Sequence, residues 1–502
     1  MSVDKLRETH HINRVAPSDL GLLMSAQSYR PEITQAIRKI KSFPWAPLQS
    51  LVKNVISPGP HPVYGGTYPC LKTKNVNELL ADLESADFAN VKGIGNLEKV
   101  QVERGDLLIN LTGAGSIGRV SIYYGNDLPI TNQHIARMGI KDAYDEGYVA
   151  AFLRSWWGER ALEQGVAGST GQINMVNDHV RSIPVIIFNA AVQKYIGDKV
   201  RQAELLRTWA KALEERFDLS LKKLSPEAFE NRGTGKKYSR ASVADISYTL
   251  NPGAFDEERL RVQHYLLGLG GKRFSKLADI SGATTSSYKP DSTYIGLDAI
   301  SSNTCKLTPS TVEKAEISGT CRLLNEGPVI AKLRPYLNKV SYISQRFTGA
   351  VGSTELLCIT PRSNYSGWYL YGVLKSELTL KQLRPLATGA THPRIDQYDV
   401  YDLVVPVLDD QEALGQLLKM AQTAYFLASE LTVTAKLLVE DLIEGQITEA
   451  QLIAAEQALQ AGNDTLDRKI LSRLKTDGID GEGAALFSDL DELYRLLALA
   501  EV

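Results

Sequence analysis

Four short segments of this chain recur in the same order at an interval close to 222 residues. Gly105-Asp-Leu-Leu-Ile109 is answered by Gly327-Pro-Val-Ile-Ala331, and Gly118-Arg119-Val120-Ser121 by Asn338-Lys339-Val340-Ser341. Ala167-Gly168-Ser169-Thr170 is answered by Thr388-Gly389-Ala390-Thr391, and Ser182-Ile183-Pro184-Val185 by Val404-Val405-Pro406-Val407. Several matches that keep both order and spacing mark an internal duplication. Two similar halves of about 220 residues are therefore expected, each feature of one having a counterpart in the other.

Each half closes on a helical pattern. Apolar residues fall at Val192, Ile196, Val200, Ala203, Leu206, Ala210, Leu213 and Phe217 in the first. In the second they fall at Leu414, Leu417, Ala421, Ala424, Ala428, Leu431, Ala435, Leu438 and Leu442, stepping by three and four as a heptad seam does. Such helices either lie on their own domains or pair with each other, and two in one chain can pair antiparallel. A helix from Ala191 to Asp218 would span ~42 Å. Between helices the chain alternates short Val/Ile/Leu runs with Gly, Asn, Thr and Tyr, which reads as strands and turns.

The expected fold is α+β: two strand-rich domains, each followed by a long helix, the helices pairing as an antiparallel coiled coil, with a helical C-terminal tail. The boundaries are a helical arm over 1–46, the first strand-rich domain over 47–188 and its helix over 189–225. A Pro/Gly/charge-rich linker spans 226–245. The second domain spans 246–408, its helix 409–445, and an acidic tail 446–502. In the arm, Pro31 can open a helix that Pro44 stops. In the tail, Glu449–Gln460 and Leu486–Leu499 read as helical, and docking on a partner subunit or on the coiled coil is expected of it.

The net charge is −2, so a basic composition does not announce nucleic acid. The tail holds eleven acidic and five basic residues, which leaves residues 1–445 at +4. Any DNA contact then relies on local patches or on a partner. Four scattered cysteines, with no Cys-x-x-Cys spacing, read as free thiols of a reducing cytoplasm rather than a disulfide scaffold or zinc module. The first residues lack a signal-peptide pattern, and no run of 18 apolar residues is present.

No complete catalytic motif is present in the sequence. Gly113-Ala-Gly115-Ser-Ile-Gly118 fits the dinucleotide fingerprint, which works only where its glycines open a helix facing the pyrophosphate. The next residues, Arg119-Val-Ser-Ile-Tyr-Tyr124, favour a strand, so a turn between strands is expected. The glycine-lysine stretches ending at Lys236 and Lys272 lack the rest of a P-loop. No Pro-Pro dipeptide occurs, so no amine-methylating Asn/Asp-Pro-Pro-Tyr pocket does, and the histidines show no metal-ligand spacing. No catalytic, cofactor or metal site is expected.

A duplicated strand-rich domain with long helices resembles the specificity (S) subunit of type I restriction–modification systems. The resemblance covers about residues 45–445 and is carried by Tyr68-Pro-Cys-Leu-Lys-Thr-Lys-Asn75-Val, Asp106–Thr112 with Gly118-Arg119-Val120, Gly168–Asn174 and Ile183-Pro184-Val185. It implies two target-recognition domains that read a split, bipartite DNA site, the helices serving as ruler. Adjacent half-sites on one face of DNA lie about 34–36 Å apart. It also implies adenine-N6 methyltransferase partners, two of them, which would hold S-adenosylmethionine, and a nuclease or translocase subunit in restriction complexes. Where the family has Pro-Pro-Leu-x-Glu-Gln before its helix, this chain keeps mainly Gln193 and Gln411, and the acidic tail is extra. A related phage-defence methylation system is therefore an open possibility. A non-catalytic scaffold or DNA mimic, and a nucleotide-dependent enzyme using Gly113–Gly118, are the competing readings.

Asn and Gln pair with adenine edges, and Lys or Arg with guanine or phosphate. On that chemistry the candidate DNA-binding residues of the first half are Lys72, Lys74, Asn75, Thr112, Ser116, Arg119, Asn132, Gln133, His134, Ser169, Thr170, Gln172 and Asn174. Those of the second are Lys332, Arg334, Tyr336, Lys339, Thr391, His392 and Arg394. Turn chemistry is the competing role for each Ser, Thr and Asn. The halves are unequal, so an asymmetric site is expected.

Overall fold

Pro31 and Pro44 bracket a helix as their spacing predicts: α1 spans Pro31–Lys41 with proline at its first position. The computed structural model describes residues 14–17, 20, 21, 23–81, 83–168, 173–230 and 240–501. It divides into two compact units, Met1–Leu205 with Leu427–Val502, and Leu206–Phe426.

In unit 1 the first strands are β1 (Trp45–Pro47), β2 (Ser57–Pro58), β3 (Val63–Leu71) and β4 (Asp87–Asn90). They are followed by β5 (Asp106–Asn110), β6 (Val120–Tyr123), β7 (Ile130–Thr131) and β8 (Ile135–Met138). Helices α2 (Glu146–Arg154) and α3 (Trp156–Glu163) come next, then β9 (Val166–Ala167), β10 (Asn174–Met175), β11 (Pro184–Ile186) and the long α4 (Ala190–Leu224), which runs on into unit 2. The main sheet is antiparallel in the order β2-β8-β5-β6. Every residue of β5 is buried. Alternate side chains leave opposite faces of a strand, so Leu108 joins Leu71, Val102 and Ile135 on one face while α2 packs on β5 and β6. A second sheet, β4-β3-β7, sets β3 and β7 parallel, and β1 pairs with β11.

Unit 2 repeats this plan. It has α5 (Glu257–Gly268), β12 (Lys272–Arg273), β13 (Ala278–Ser281), β14 (Thr284–Thr285), β15 (Thr293–Ile295), β16 (Ser310–Thr311) and β17 (Cys321–Leu323). Then come β18 (Gly327–Ala331), β19 (Val340–Ile343), β20 (Val351–Gly352), β21 (Leu356–Pro361), α6 (Gly367–Lys375), α7 (Glu377–Leu383), β22 (Val404–Val405) and α8 (Gln411–Glu444). The order β13-β21-β18-β19 reproduces β2-β8-β5-β6. Strands β16-β15-β20 reproduce β4-β3-β7 with the same parallel pair, extended here by β17 and β14. At the place of β17, unit 1 has only the bridge Gln101–Ile130.

The register of the repeat differs slightly from the sequence matches. Ile109 faces Val120 as Ile330 faces Val340, which puts the strands at offsets of 221 and 220. Tyr148 donates to the Ile186 carbonyl as Tyr369 donates to that of Pro406, again 221 and 220 apart. Pro184 therefore corresponds to Val404, not to Pro406. Sequence identity favoured the proline match, but a slip of one or two residues is decided by which side chains must point inward.

The two glutamines kept before the long helices have one physical role. Gln193 Oε1 accepts from the Asp145 N–H at 3.2 Å, and Gln411 Oε1 from the Ser366 N–H at 3.1 Å. Asp145 and Ser366 are the N-caps of α2 and α6. One turn further along, Gly197 and Gly415 leave room for those caps: a Cβ at Gly197 would overlap the Asp145 carboxylate, and one at Gly415 would crowd the Ser366 hydroxyl. The motif Gln-x-x-x-Gly thus locks each long helix to its own sheet-covering helix. Every seam position predicted in α4 is buried. In α8 the buried stripe is wider than a two-residue seam, because Gln422 also donates to the Tyr342 carbonyl and Phe426 packs on Phe347.

The tail belongs to unit 1 and comprises α9 (Glu449–Gln460), α10 (Thr465–Leu471), the hairpin β23 (Leu474–Lys475) with β24 (Gly478–Ile479), and α11 (Leu490–Ala500). It is folded onto the start of α4. Glu449 accepts from the Asn189 N–H at 2.9 Å, Glu456 pairs with Lys194 at 2.9 Å, and Asp467 binds Lys199 at 2.7 and 2.8 Å. Tyr195 and Tyr494 also donate to Asp467.

Candidate nucleic-acid interface

In unit 1 the described candidates gather around the C-terminal end of β5. Asn110 Nδ2 donates to the carbonyls of Thr73 and Val76, both at 3.1 Å, which ties the Lys72–Val76 turn to the strand. Leu111 N–H donates to the His134 carbonyl at 2.8 Å, bringing in Asn132–His134. Thr112 bridges Asn174, which brings in β10. Residues far apart in sequence thus form one set of loops at one sheet edge.

Within that set the side chains differ in availability. Lys72 lies 3.8 Å from the Tyr64 ring centre and 2.9 Å from Asp87, which also takes Lys74 at 3.3 Å. Hydrogen bonding from Lys72 holds the Asp87 carboxyl below its usual pKa. Asn75 is buried and accepts from the Lys72 N–H while donating to Ser85, so its amide serves the turn. Asn132 is buried, its Oδ1 accepting from the His134 N–H. Gln133 Nε2 lies 3.1 Å from His134 Nε2, and among the described residues Gln133 Oε1 has no partner. Ser116 Oγ donates to the Thr112 and Gly113 carbonyls at 3.3 and 3.4 Å, a turn role. Arg119 donates to Asn77 Oδ1. Asn174 is exposed. Ser169, Thr170 and Gln172 lie outside the described residues.

The glycines of Gly113–Gly118 connect β5 to β6 and open no helix. Gly113, Gly115 and Gly118 have φ of +106°, +74° and +77°, which side-chain-bearing residues rarely adopt. The dinucleotide geometry is therefore not built here.

Unit 2 places its candidates at the corresponding edge. Leu333 bridges Arg394, the Arg334 N–H donates to the Pro393 carbonyl at 2.7 Å, and Ile395 N–H to that of Lys332 at 3.1 Å. Arg334 takes the left-handed conformation (φ +49°) where unit 1 has Gly113, and Asn338 (φ +52°) does so where unit 1 has Gly118. A non-glycine residue there is strained by of order 1 kcal/mol or more and is held by its surroundings. Arg334 Nη2 reaches the Thr391 carbonyl at 3.4 Å, and its buried Nε has no partner among the described residues. Tyr336, Thr391 and His392 are exposed. Lys332 is half-buried. Lys339 donates to the Ile300 carbonyl at 2.5 Å, and burial pulls its pKa below the ordinary lysine value.

Four participants were not singled out from sequence: Asn77 and Arg154 in unit 1, Glu355 and Lys375 in unit 2. Glu355 pairs with Arg394 at 3.1 Å, raising the pKa of that guanidinium. Its N–H donates to Ser353 as that of His134 donates to Asn132, so Glu355 stands where unit 1 has His134. The pairs Arg154-Ser155 and Lys375-Ser376 recur at an offset of 221, and extending the repeat through α2 and α6 would have found both cations.

Among the described residues no group of His, Cys, Asp and Glu is placed to hold a metal ion, and no helix is long and apolar enough to cross a membrane. The four cysteines are buried free thiols. No protein-family model matches the chain, and no curated protein sequence does. Among solved structures it is similar to the type I restriction–modification S subunit of M. genitalium, with 12% identity and a TM-score of 0.36, over 83% of this chain and 96% of that one. It is also similar to the HsdS subunit of Thermoanaerobacter tengcongensis, with 11% identity and a TM-score of 0.27, over 81% of this chain and 97% of that one.

Proposed function

We propose that this chain is the DNA specificity subunit of a type I restriction–modification system or a related phage-defence methylation system. It reads a bipartite, asymmetric site through target-recognition domains at residues 47–188 and 246–408 and directs a partner adenine-N6 methyltransferase to it. The observation that carries the reading is a duplicated fold with unlike loops at the duplicated edge. Thr112-Gly-Ala-Gly-Ser-Ile-Gly118 in one unit corresponds to Leu333-Arg-Pro-Tyr-Leu-Asn338 in the other, His134 to Glu355, and Asn174 to Arg394. One scaffold with two different sets of base-edge donors and acceptors is what reading two different half-sites requires.

Antiparallel pairing of α4 with α8 is part of the proposal. It is supported by the way the units divide: residues 190–205 fall with 427–444, and 206–224 with 411–426. Within unit 2, Tyr425 of α8 donates to Glu214 of α4 at 2.9 Å. The chain itself is non-catalytic in this reading. Two methyltransferase subunits bring S-adenosylmethionine, a nuclease or translocase joins where cleavage occurs, and the assembly works in the cytoplasm. Mapping methylated adenines in cells with and without the gene tests this. Loss of one bipartite, asymmetric motif is expected, and an unchanged methylome would refute it.

A further inference from the structure

The two units use one duplicated pair of cations differently. Arg119 precedes β6 where Lys339 precedes β19, and Arg154 ends α2 where Lys375 ends α6. In unit 2 both ammonium groups are committed to backbone carbonyls. Lys339 donates to Ile300, and Lys375 to Ser301, Val340 and Asn338 at 2.5, 3.1 and 3.4 Å. In unit 1 the partners are fewer and the groups larger. Arg119 donates to Asn77 Oδ1, and Arg154 Nη2 reaches the Asn77 carbonyl at 3.4 Å; among the described residues these are their hydrogen bonds. Each guanidinium carries five N–H donors in a planar fork, so most have no protein acceptor among the described residues and face solvent.

Both arginines line a cavity of about 910 Å³. The glycine turn forms another part of its wall, and a Cβ at Gly115 would meet nothing within 4 Å, so backbone is open to close approach there. Burial pulls Arg154 below its ordinary pKa; the Arg119 charge adds to this, and Glu159 and Glu78 offset part of it. The other wall carboxylate, Glu163, is already held by Arg30 at 3.1 Å and Arg160 at 2.6 Å. Two like charges kept together beside open space, with donors left over, suit a tetrahedral oxyanion.

We propose that Arg119 and Arg154 form a seat for one phosphate group in unit 1 that unit 2 lacks. When that phosphate is a phosphodiester of duplex DNA, the inference rests on the DNA-reading function; a free phosphate is the other source of the same chemistry. The test uses the full chain, a mixed-sequence duplex and inorganic phosphate, with Arg119→Gln, Arg154→Gln, the double variant and Arg154→Lys, each checked for folding by circular dichroism. Each phosphate contact contributes about 0.9 to the slope of log K against log salt. Arg154→Gln and Arg119→Gln are each expected to lower that slope by up to about 0.9, and the double variant by no more, because one phosphate is shared. Arg154→Lys keeps most of it.

A wild type that binds no duplex, yet gains thermal stability from inorganic phosphate only while Arg154 is present, supports the seat with free phosphate as its ligand and removes the DNA-reading function. A wild type that binds duplex while both variants keep its slope, with no Arg154-dependent response to phosphate, overturns the seat and leaves that function standing. A folded wild type that responds to neither overturns the seat.

Discussion

Replacing Asp467 with alanine should loosen the tail from the rest of unit 1 without unfolding the sheets. Asp467 and Lys199 are each 1% exposed and lie 2.7 and 2.8 Å apart, with Tyr195 and Tyr494 as further donors and the Tyr195 ring 4.8 Å from the ammonium. Burial pushes the Asp467 pKa up, but Lys199 and the tyrosine donors outweigh it, and the net shift is downward. A depressed folded pKa means the contribution is present above the unfolded carboxylate range and is lost only as pH falls through the folded value. At neutral pH, Asp467→Ala therefore leaves an ammonium buried with no counter-charge, which costs about 3–5 kcal/mol. Hydrogen exchange reports this locally: amide protection in α9 and α10 should fall by about two to four orders of magnitude, since ~1.4 kcal/mol is tenfold. Lys199→Met combined with Asp467→Leu should restore most of the protection, because a buried pair can be replaced by apolar side chains at little cost. A fall of less than about tenfold in Asp467→Ala would refute the claim that this pair holds the tail.

Three further outcomes are expected. Burial raises the Glu214 pKa to about 7, despite donation from Tyr425 and the Cys305 N–H, so its stabilising effect is full below the unfolded value and lost as pH rises through 7. Glu214→Gln should remove that loss, up to about 3 kcal/mol, read as unit 2 exchange protection at pH 5 and pH 8. Gly197→Ala should displace the Asp145 cap of α2 and cost about 2 kcal/mol in thermal unfolding, while Gly197→Ser should do no better. Arg334→Ala should weaken binding by about 1–3 kcal/mol through one half-site and leave the other half-site's preference unchanged; equal loss on cognate and random duplexes would mean it holds only phosphate.

The duplication and both long helices were legible because each rests on periodicity: the matched segments keep their spacing, and the seam residues from Val192 to Phe217 are all buried. The register was less legible, because Pro406 resembles Pro184 in type while Val404 matches it in position. In the candidate site, the described residues singled out from sequence come together in space, but their side-chain roles were not legible. Asn75 and Asn132 have the chemistry of base readers, yet Ser85 and the backbone of Lys72 and His134 claim their amides. Such local hydrogen bonding is the usual competitor for short polar side chains, and sequence alone does not say which wins. Arg154 was missed for another reason: the segment reads as strands and turns, so the helix that Arg154 ends was not matched with the one that ends at Lys375.

Unit 2 is a single stretch of chain, Leu206–Phe426, whereas unit 1 is interrupted and needs Leu427–Val502 to finish it. On a ribosome this sets an order. The second unit can close as soon as its own residues emerge, while the first must wait, with the buried face of the first part of α4 uncovered, until Leu427–Val502 has been made. Closing so long a loop adds little to the equilibrium, since its entropy grows only logarithmically, but it delays the folding nucleus that spans it. The nascent first half is thus the interval of greatest exposure to proteases and to mispairing with a second copy's helix.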